Sequence, residues 1–398
     1  MKRPARQTGL SLVELLVTLT LSLLLLAGLT RIVIGGKESQ KTQNALASLQ
    51  ESGRHLLQSL GDEARMAGYA GCSPIINNLL DTASADYDAT LFDLATAVDG
   101  WNYSGTAPGN GFTQTTQNPN GLALNSWRSP AGGDLAADFQ NDVVQGSDLL
   151  VVKRADQRID IALATGVTRV DITTPQVDLD EASEWDLNPD NEAKTFAAST
   201  AAQKKSRRNL FLLLSSCVSA DLFQNCDDGA SITNRDLDRT SPCNNATGTA
   251  LTPGNRAAVW STPITQYSEL YGVKNTVFYI GRNPAGQPAL YRKVYRDETG
   301  EDAEELAEGV ESLQLRYGID TDGDGVANSQ VSADAVGSNP VVTIEIALLL
   351  VSADDIKSQP AAETFDLAGT QFTSLADRKL RKVVSTVIKL RNRGRFDG

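Results

Sequence analysis

The sequence has very little histidine and cysteine for its size. Its 398 residues include one histidine, His55, and four cysteines. A Ser/His/Asp triad or a multi-histidine metal centre must therefore be built around His55 or not at all. Four cysteines make no disulfide scaffold in so long a chain, but they form two bridges in an oxidising compartment. Aromatic residues are sparse at 6%. Trp101, Trp127, Trp185 and Trp260 read as hydrophobic anchors under loops rather than a sugar platform. Basic residues are short too, 36 Lys and Arg against 49 Asp and Glu, a formal net charge of −13. That balance excludes a nucleic-acid surface, which needs clustered Lys and Arg. No GxxxxGKS, HExxH or GxSxG pattern occurs. No enzyme is expected; paired acid–base work by Glu184, Glu304 and Glu305 needs a convergence in space that sequence does not show, and solvated carboxylates fit them equally well.

What is present begins at the N-terminus. From Leu10 to Ile34 the chain is apolar apart from hydroxyls, Gly28, Glu14 and Arg31. Such a helix spans about 37 Å, enough for a bilayer core of about 30 Å. Lys2, Arg3 and Arg6 precede it, which places the N-terminus in the cytoplasm and the rest outside. A secretory signal peptide has a shorter apolar core and an Ala-x-Ala site behind it. A plain anchor explains everything except Glu14, because a carboxylate in hydrocarbon costs about 2.5–3.5 kcal/mol. A cut between Gly9 and Leu10 gives Glu14 a partner. The new α-amino group lies about one helical turn away, and a neighbouring subunit's ammonium can pair with the carboxylate. The run TGLSLVELLV, Thr8 to Val17, resembles the type IV prepilin family, whose leader ends in Gly and whose helix has Glu at its fifth residue. Leu10 replaces the usual Phe, conservatively. The resemblance implies cleavage and N-methylation at Gly9–Leu10 by a prepilin peptidase. It also implies that Glu14 draws the subunit into a growing filament.

No proline occurs between Pro4 and Pro74. Leu46, Leu49, Leu56, Leu60 and Ala64 recur as one face of an amphipathic helix. Lys41, Gln50, Glu51, Gln58 and Asp62 lie opposite, with His55 among them. Gly35, Gly36 and Gly53 are candidate bends. The spacing predicts a helix from Leu10 to about Ala67. ALASLQESGR and RMAGYAGC, with EGVESLQLRYGIDTDGDGVAN, VVTIEIALLLVS and RKVVSTVIKLRNR near the end, resemble the PilW family of minor pilins. That likeness covers the first seventy residues and roughly the last hundred; the middle diverges.

The expected fold is α+β and type IV pilin-like, a long N-terminal helix packed on an antiparallel β-rich head. Residues 1–9 form the leader, 10–34 the transmembrane or filament-core helix, and 35–71 its amphipathic continuation. Residues 72–398 form a periplasmic head with long loop insertions at about 75–147 and 176–208. Strands are expected at Asp148–Lys153, Arg158–Ala164, Asn209–Ser215, Asn275–Gly281, Ala289–Val294, Ser312–Tyr317, Val341–Val351 and Lys382–Arg391. A short helix is expected near Asn191–Arg207. Cys72, Cys217, Cys226 and Cys243 allow three pairings; their positions favour Cys72–Cys217 and Cys226–Cys243. A zinc site lacks a CxxC pair and histidines.

Asp320, Asp322, Asp324, Val326 and Asn328 match the opening of an EF-hand-type calcium loop, with Gly325 at the sharp turn. The closing Glu is missing, its place taken by Val331, and Asp334 serves only in a longer loop. A solvated Asp–Gly turn between strands fits the same residues. No cofactor is required, and calcium is the one ion the sequence offers.

The PilW resemblance implies a minor pilin in a priming or tip complex that initiates pilus assembly. Its implied partners are other minor pilins, the major pilin, the prepilin peptidase, the inner-membrane assembly platform and a tip adhesin, with the lipid bilayer before assembly. A type II secretion pseudopilin shares the N-terminal logic, and a membrane-anchored calcium-dependent adhesin is an alternative of another class.

Overall fold

The computed structural model describes residues 12–73, 75–115, 122–159, 161–179, 210–226, 237–244, 250–297 and 299–393. Gly9, Leu10, Trp185 and the helix expected over 191–207 lie outside those residues. One helix, α1 (Leu12–Met66), runs unbroken for 55 residues, about 82 Å. Every residue from 12 to 41 is exposed. Further on, Leu49, Gly53, Leu56, Leu60, Gly61 and Ala64 are buried, the three-and-four spacing of a helix laid on a core. Leu46 is half-buried, while Lys41, Gln50, Glu51, His55, Gln58 and Asp62 face solvent. The glycines expected as bends do not interrupt the helix. At Gly53 a Cβ would stand 2.8 Å from Leu350 Cδ1 and Val384 Cγ1. The missing side chain lets the helix backbone rest directly on a sheet.

The largest sheet has nine strands. They are β1 (Ile76–Asn78), β2 (Val98–Tyr103), β4 (Trp127–Arg128), β5 (Leu149–Ile159), β8 (Phe211–Ser215), β9 (Ala220–Gln224), β12 (Glu269–Arg282), β13 (Pro288–Tyr295) and β14 (Glu304–Glu308). The order is β1-β9-β8-β12-β5-β2-β4, with β13 paired to β12 and β14 to β13. Strands β15 (Val310–Ile319), β16 (Ser329–Val331), β17 (Val341–Asp355) and β20 (Lys379–Lys389) form a second sheet in the order β16-β15-β17-β20. A third joins β18 (Thr364–Leu367), β19 (Thr370–Thr373) and β3 (Gly111–Thr113). Two short ladders pair β10 (Leu237–Asp238) with β7 (Gln176–Val177) and β11 (Ile264–Thr265) with β6 (Arg169–Val170). Pairing is antiparallel except at β1–β9 and β19–β3.

The main core lies between α1, the second sheet and one face of the first. Along β17, Ile344, Ile346, Leu348 and Leu350 face it, while Ala347 and Leu349 pack with Leu367 and Phe372 on the other side. This is the two-residue alternation of a strand buried on both faces. The first sheet's far face carries Trp101, Trp127, Tyr279 and Tyr295, covered by Phe139 of the 137–139 turn and by Leu91 and Phe92 of the short helix α2 (Ala89–Phe92). Trp260 packs edge-to-face on Phe223 at 5.1 Å in a third cluster. Trp101, Trp127 and Trp260 are fully buried.

Seven of the expected strands correspond to β5, β8, β12, β13, β15, β17 and β20. The expected strand Arg158–Ala164 is not one. Strand β5 runs on against β12 until Ile159, and Leu163 makes only a single bridge to Leu179. Leu163 instead turns into a small cluster with Val177 and Leu237. The 75–147 stretch is less loop-like than its composition reads, since β2 pairs directly with β5.

Candidate functional site

The exposed part of α1 meets its surroundings as hydrocarbon. The hydroxyls of Thr18, Thr20, Ser22 and Thr30 donate back to helix carbonyls at 2.7–2.9 Å, so they add no unsatisfied donor in an apolar phase. Between Leu12 and Ile34 two charges interrupt the surface, Glu14 and Arg31; Lys37, Glu38 and Lys41 follow beyond the apolar run. Glu14 lies in the first described turn, exposed, and among the described residues its carboxylate has no partner. By length and composition this helix can cross a membrane.

Ion pairs lock the lower half of α1 to the head. Lys41 Nζ donates to the Asp355 carbonyl at 2.9 Å. Glu63 accepts from Lys274 Nζ at 2.9 Å and from Arg154 Nε at 3.4 Å. Arg154 and Arg296 both reach Asp156, at 2.8 and 2.9 Å. Burial pushes the Glu63 carboxyl up, but Lys274 and then Arg154 outweigh it and hold it below its usual value. Asp156 is likewise held low against burial, by Arg296 first and Arg154 next. Two pairs lie deeper. Arg381 on β20 donates to Glu311 on β15 at 2.6 and 3.0 Å and to Asp377 at 2.7 Å. Lys153 on β5 donates to the Thr96 hydroxyl at 2.6 Å and to Asp99 at 3.3 Å. Sequence reasoning missed both. Lys153 closes the run DLLVVK, where a lysine reads as the solvated end of a strand. Only the pairing of β2 with β5 brings Asp99 beneath it.

The aspartate loop joins β15 to β16. The carboxylate oxygens of Asp320, Asp322 and Asp324 lie within 4.8 Å of one another. Asp320 accepts from the backbone N–H of Gly323 at 2.7 Å and of Gly325 at 2.8 Å. The Gly325 hydrogen bond, with its neighbours, holds the Asp320 carboxyl below its usual value. The Asn328 side-chain oxygen is occupied within the loop, accepting from the Thr321 N–H at 3.1 Å and the Thr321 hydroxyl at 2.9 Å. Val331 is bound into β16 opposite Tyr317, and Asp334 accepts from the Ser332 hydroxyl at 2.6 Å. Neither closes the loop as the twelfth EF-hand residue would.

The cysteines are joined as Cys72–Cys217 and Cys226–Cys243. The first ties the segment after α1 to the β8–β9 turn. The second is buried. None is free to ligate zinc.

Residues 277–392 match the family model described as Type IV Pilus-assembly protein W. That region holds the sheet on which α1 lies. Residues 4–30 match the Prokaryotic N-terminal methylation motif. Over those two stretches the chain is similar to PilW-type, prepilin-like proteins. No curated protein matches it, and no solved structure does. Of the two halves of α1, one is presented bare and the other is seated on the region that matches PilW. The two matches support the reading of a type IV pilus-related minor pilin, and α1 is long and apolar enough to cross a membrane.

Proposed function

We propose that this minor pilin acts in a complex that primes pilus assembly and sits at or near the filament tip. The observation that carries the reading is the division of α1. Its first thirty or so described residues are exposed and largely apolar, and the rest is fixed rigidly to a PilW-like head. Prepilin peptidase cleaves between Gly9 and Leu10 and the new N-terminus is methylated. In the membrane the N-terminus is cytoplasmic and the head periplasmic. Glu14 then pairs with a neighbour's α-ammonium as the helix leaves lipid for the filament core, where an unpaired carboxylate is costly. The role is structural rather than catalytic. The PilW match favours a pilus over a secretion pseudopilus. The test is surface piliation in a strain lacking the protein, with and without the retraction motor. Loss of pili that returns when retraction is disabled supports priming, and normal pili in both strains contradict it.

The aspartate loop is assigned a hard divalent cation such as calcium, because three carboxylates converge there and Asp322 and Asp324 each accept only one backbone N–H, at 3.4 and 2.7 Å. Millimolar calcium should raise the Tm of the full-length protein in detergent. The rise should vanish in Asp322→Asn/Asp324→Asn. An unchanged parental Tm rejects the assignment.

A further inference from the structure

Strand β20 is the open edge of the four-stranded sheet. It has 11 residues, whereas the edge strands β1, β3, β4, β14, β16 and β18 have five or fewer. Strand β14 also carries Glu304, Glu305 and Glu308. Short, charged edges are how sheets avoid pairing with other chains. The middle of β20 lacks that protection. Val383-Val384-Ser385-Thr386-Val387-Ile388 is uncharged, contains no Gly or Pro and is dominated by β-branched residues, the composition of a strand primed to pair. Among the described residues, the backbone of 381–389 makes ladder bonds to β17 and no other backbone hydrogen bonds. The α1 helix covers one face of β20 at Val384 and Ile388. On the other face Ser385 and Val387 are exposed, Val387 by 59%.

The edge is also basic in an acidic protein. No acidic residue occurs from Arg378 to Arg393, and Lys382, Lys389 and Arg391 are exposed. Arg381 is already neutralised by Glu311 and Asp377.

We infer that the free edge of β20 accepts an extended, acid-flanked strand from a neighbouring pilus subunit of different sequence, continuing the sheet by β-augmentation. Backbone N–H and C=O groups of alternate residues supply the ladder. Lys382 and Lys389, about 23 Å apart along a strand, bracket it and fix its register. A second copy of this chain fits poorly. Its own acidic edge, β14, spans five residues, with Glu304 engaged by Arg292 and Glu308 by Asn283. The inference rests on the minor-pilin reading, since it takes the partner from the same filament.

A photo-crosslinking amino acid placed at Ser385 or Val387 of the full chain, in cells that make the pilus, tests this, with Leu24 on the bare helix as a second position. The expected adducts from 385 and 387 map to one extended acidic segment of another pilus subunit. They should fall at least fivefold in Lys382→Glu/Lys389→Glu, whose exposed positions leave Tm unchanged. Adducts to a second copy, adducts indifferent to charge reversal, or none at 385 and 387 while Leu24 still captures pilins would each overturn the inference. Failure at all three positions would overturn the minor-pilin reading together with it.

Discussion

Asp148 lies buried between the two main sheets, accepting from the N–H groups of Tyr103 and Leu315 at 3.0 Å. Burial pushes its carboxyl up to about 7 from 3.8, although those hydrogen bonds pull the other way. The native state therefore favours the protonated form. Its contribution is complete below about pH 4 and is lost as pH rises through about 7, at a slope of about 1.4 kcal/mol per pH unit in between. Glu63, Asp156 and Asp377 are held low, so their contributions disappear only under more acid conditions. The Tm should therefore be higher at pH 5 than at pH 8, and Asp148→Asn should flatten that slope whatever it does to the absolute value. Glu63 belongs to the same scale. Glu63→Gln leaves Lys274, exposed by only 13%, without its carboxylate, while Arg154 keeps Asp156. A loss of about 3 kcal/mol is expected in denaturant unfolding.

At the scale of elements, α1 offers a paired comparison. Gly36 has open space around it, so Gly36→Ala should gain up to about 1 kcal/mol of helix stability. Gly53 has Leu350 and Val384 in the way, so Gly53→Ala should lower Tm, with overpacking of about 1–3 kcal/mol exceeding the helix gain. The two Tm shifts should have opposite signs. These elements also mark what could be read from the chain. The helix was legible because its periodicity continues through the glycines, which were misread as bends since only the sheet beneath Gly53 explains them. Strands such as β17 and β12 were legible as long runs of β-branched and apolar residues. Strands β2 and β9 were not, because VDGWNY and ADLFQ carry no alternation and depend on their neighbours for burial. The helix side of the candidate site, Glu14 and its apolar context, stood in the sequence as a local pattern. The ion pairs that fix α1 to the head did not, because Glu63 lies 211 positions from Lys274 and only the fold brings them together.

At the scale of the molecule, the head fixes the direction in which the bare helix leaves it. That geometry matters only if the helix enters a filament. On the proposed reading, Glu14 is the residue at which leaving the membrane and entering the filament differ, for a lipid-anchored helix would gain nothing from the carboxylate and a filament core would supply its partner. The most direct measurement is the amount of Glu14→Ala protein in the membrane fraction and in sheared filaments, each compared with the parent. Parental levels in the membrane with strong depletion from filaments are predicted. Equal levels in both fractions would contradict the account.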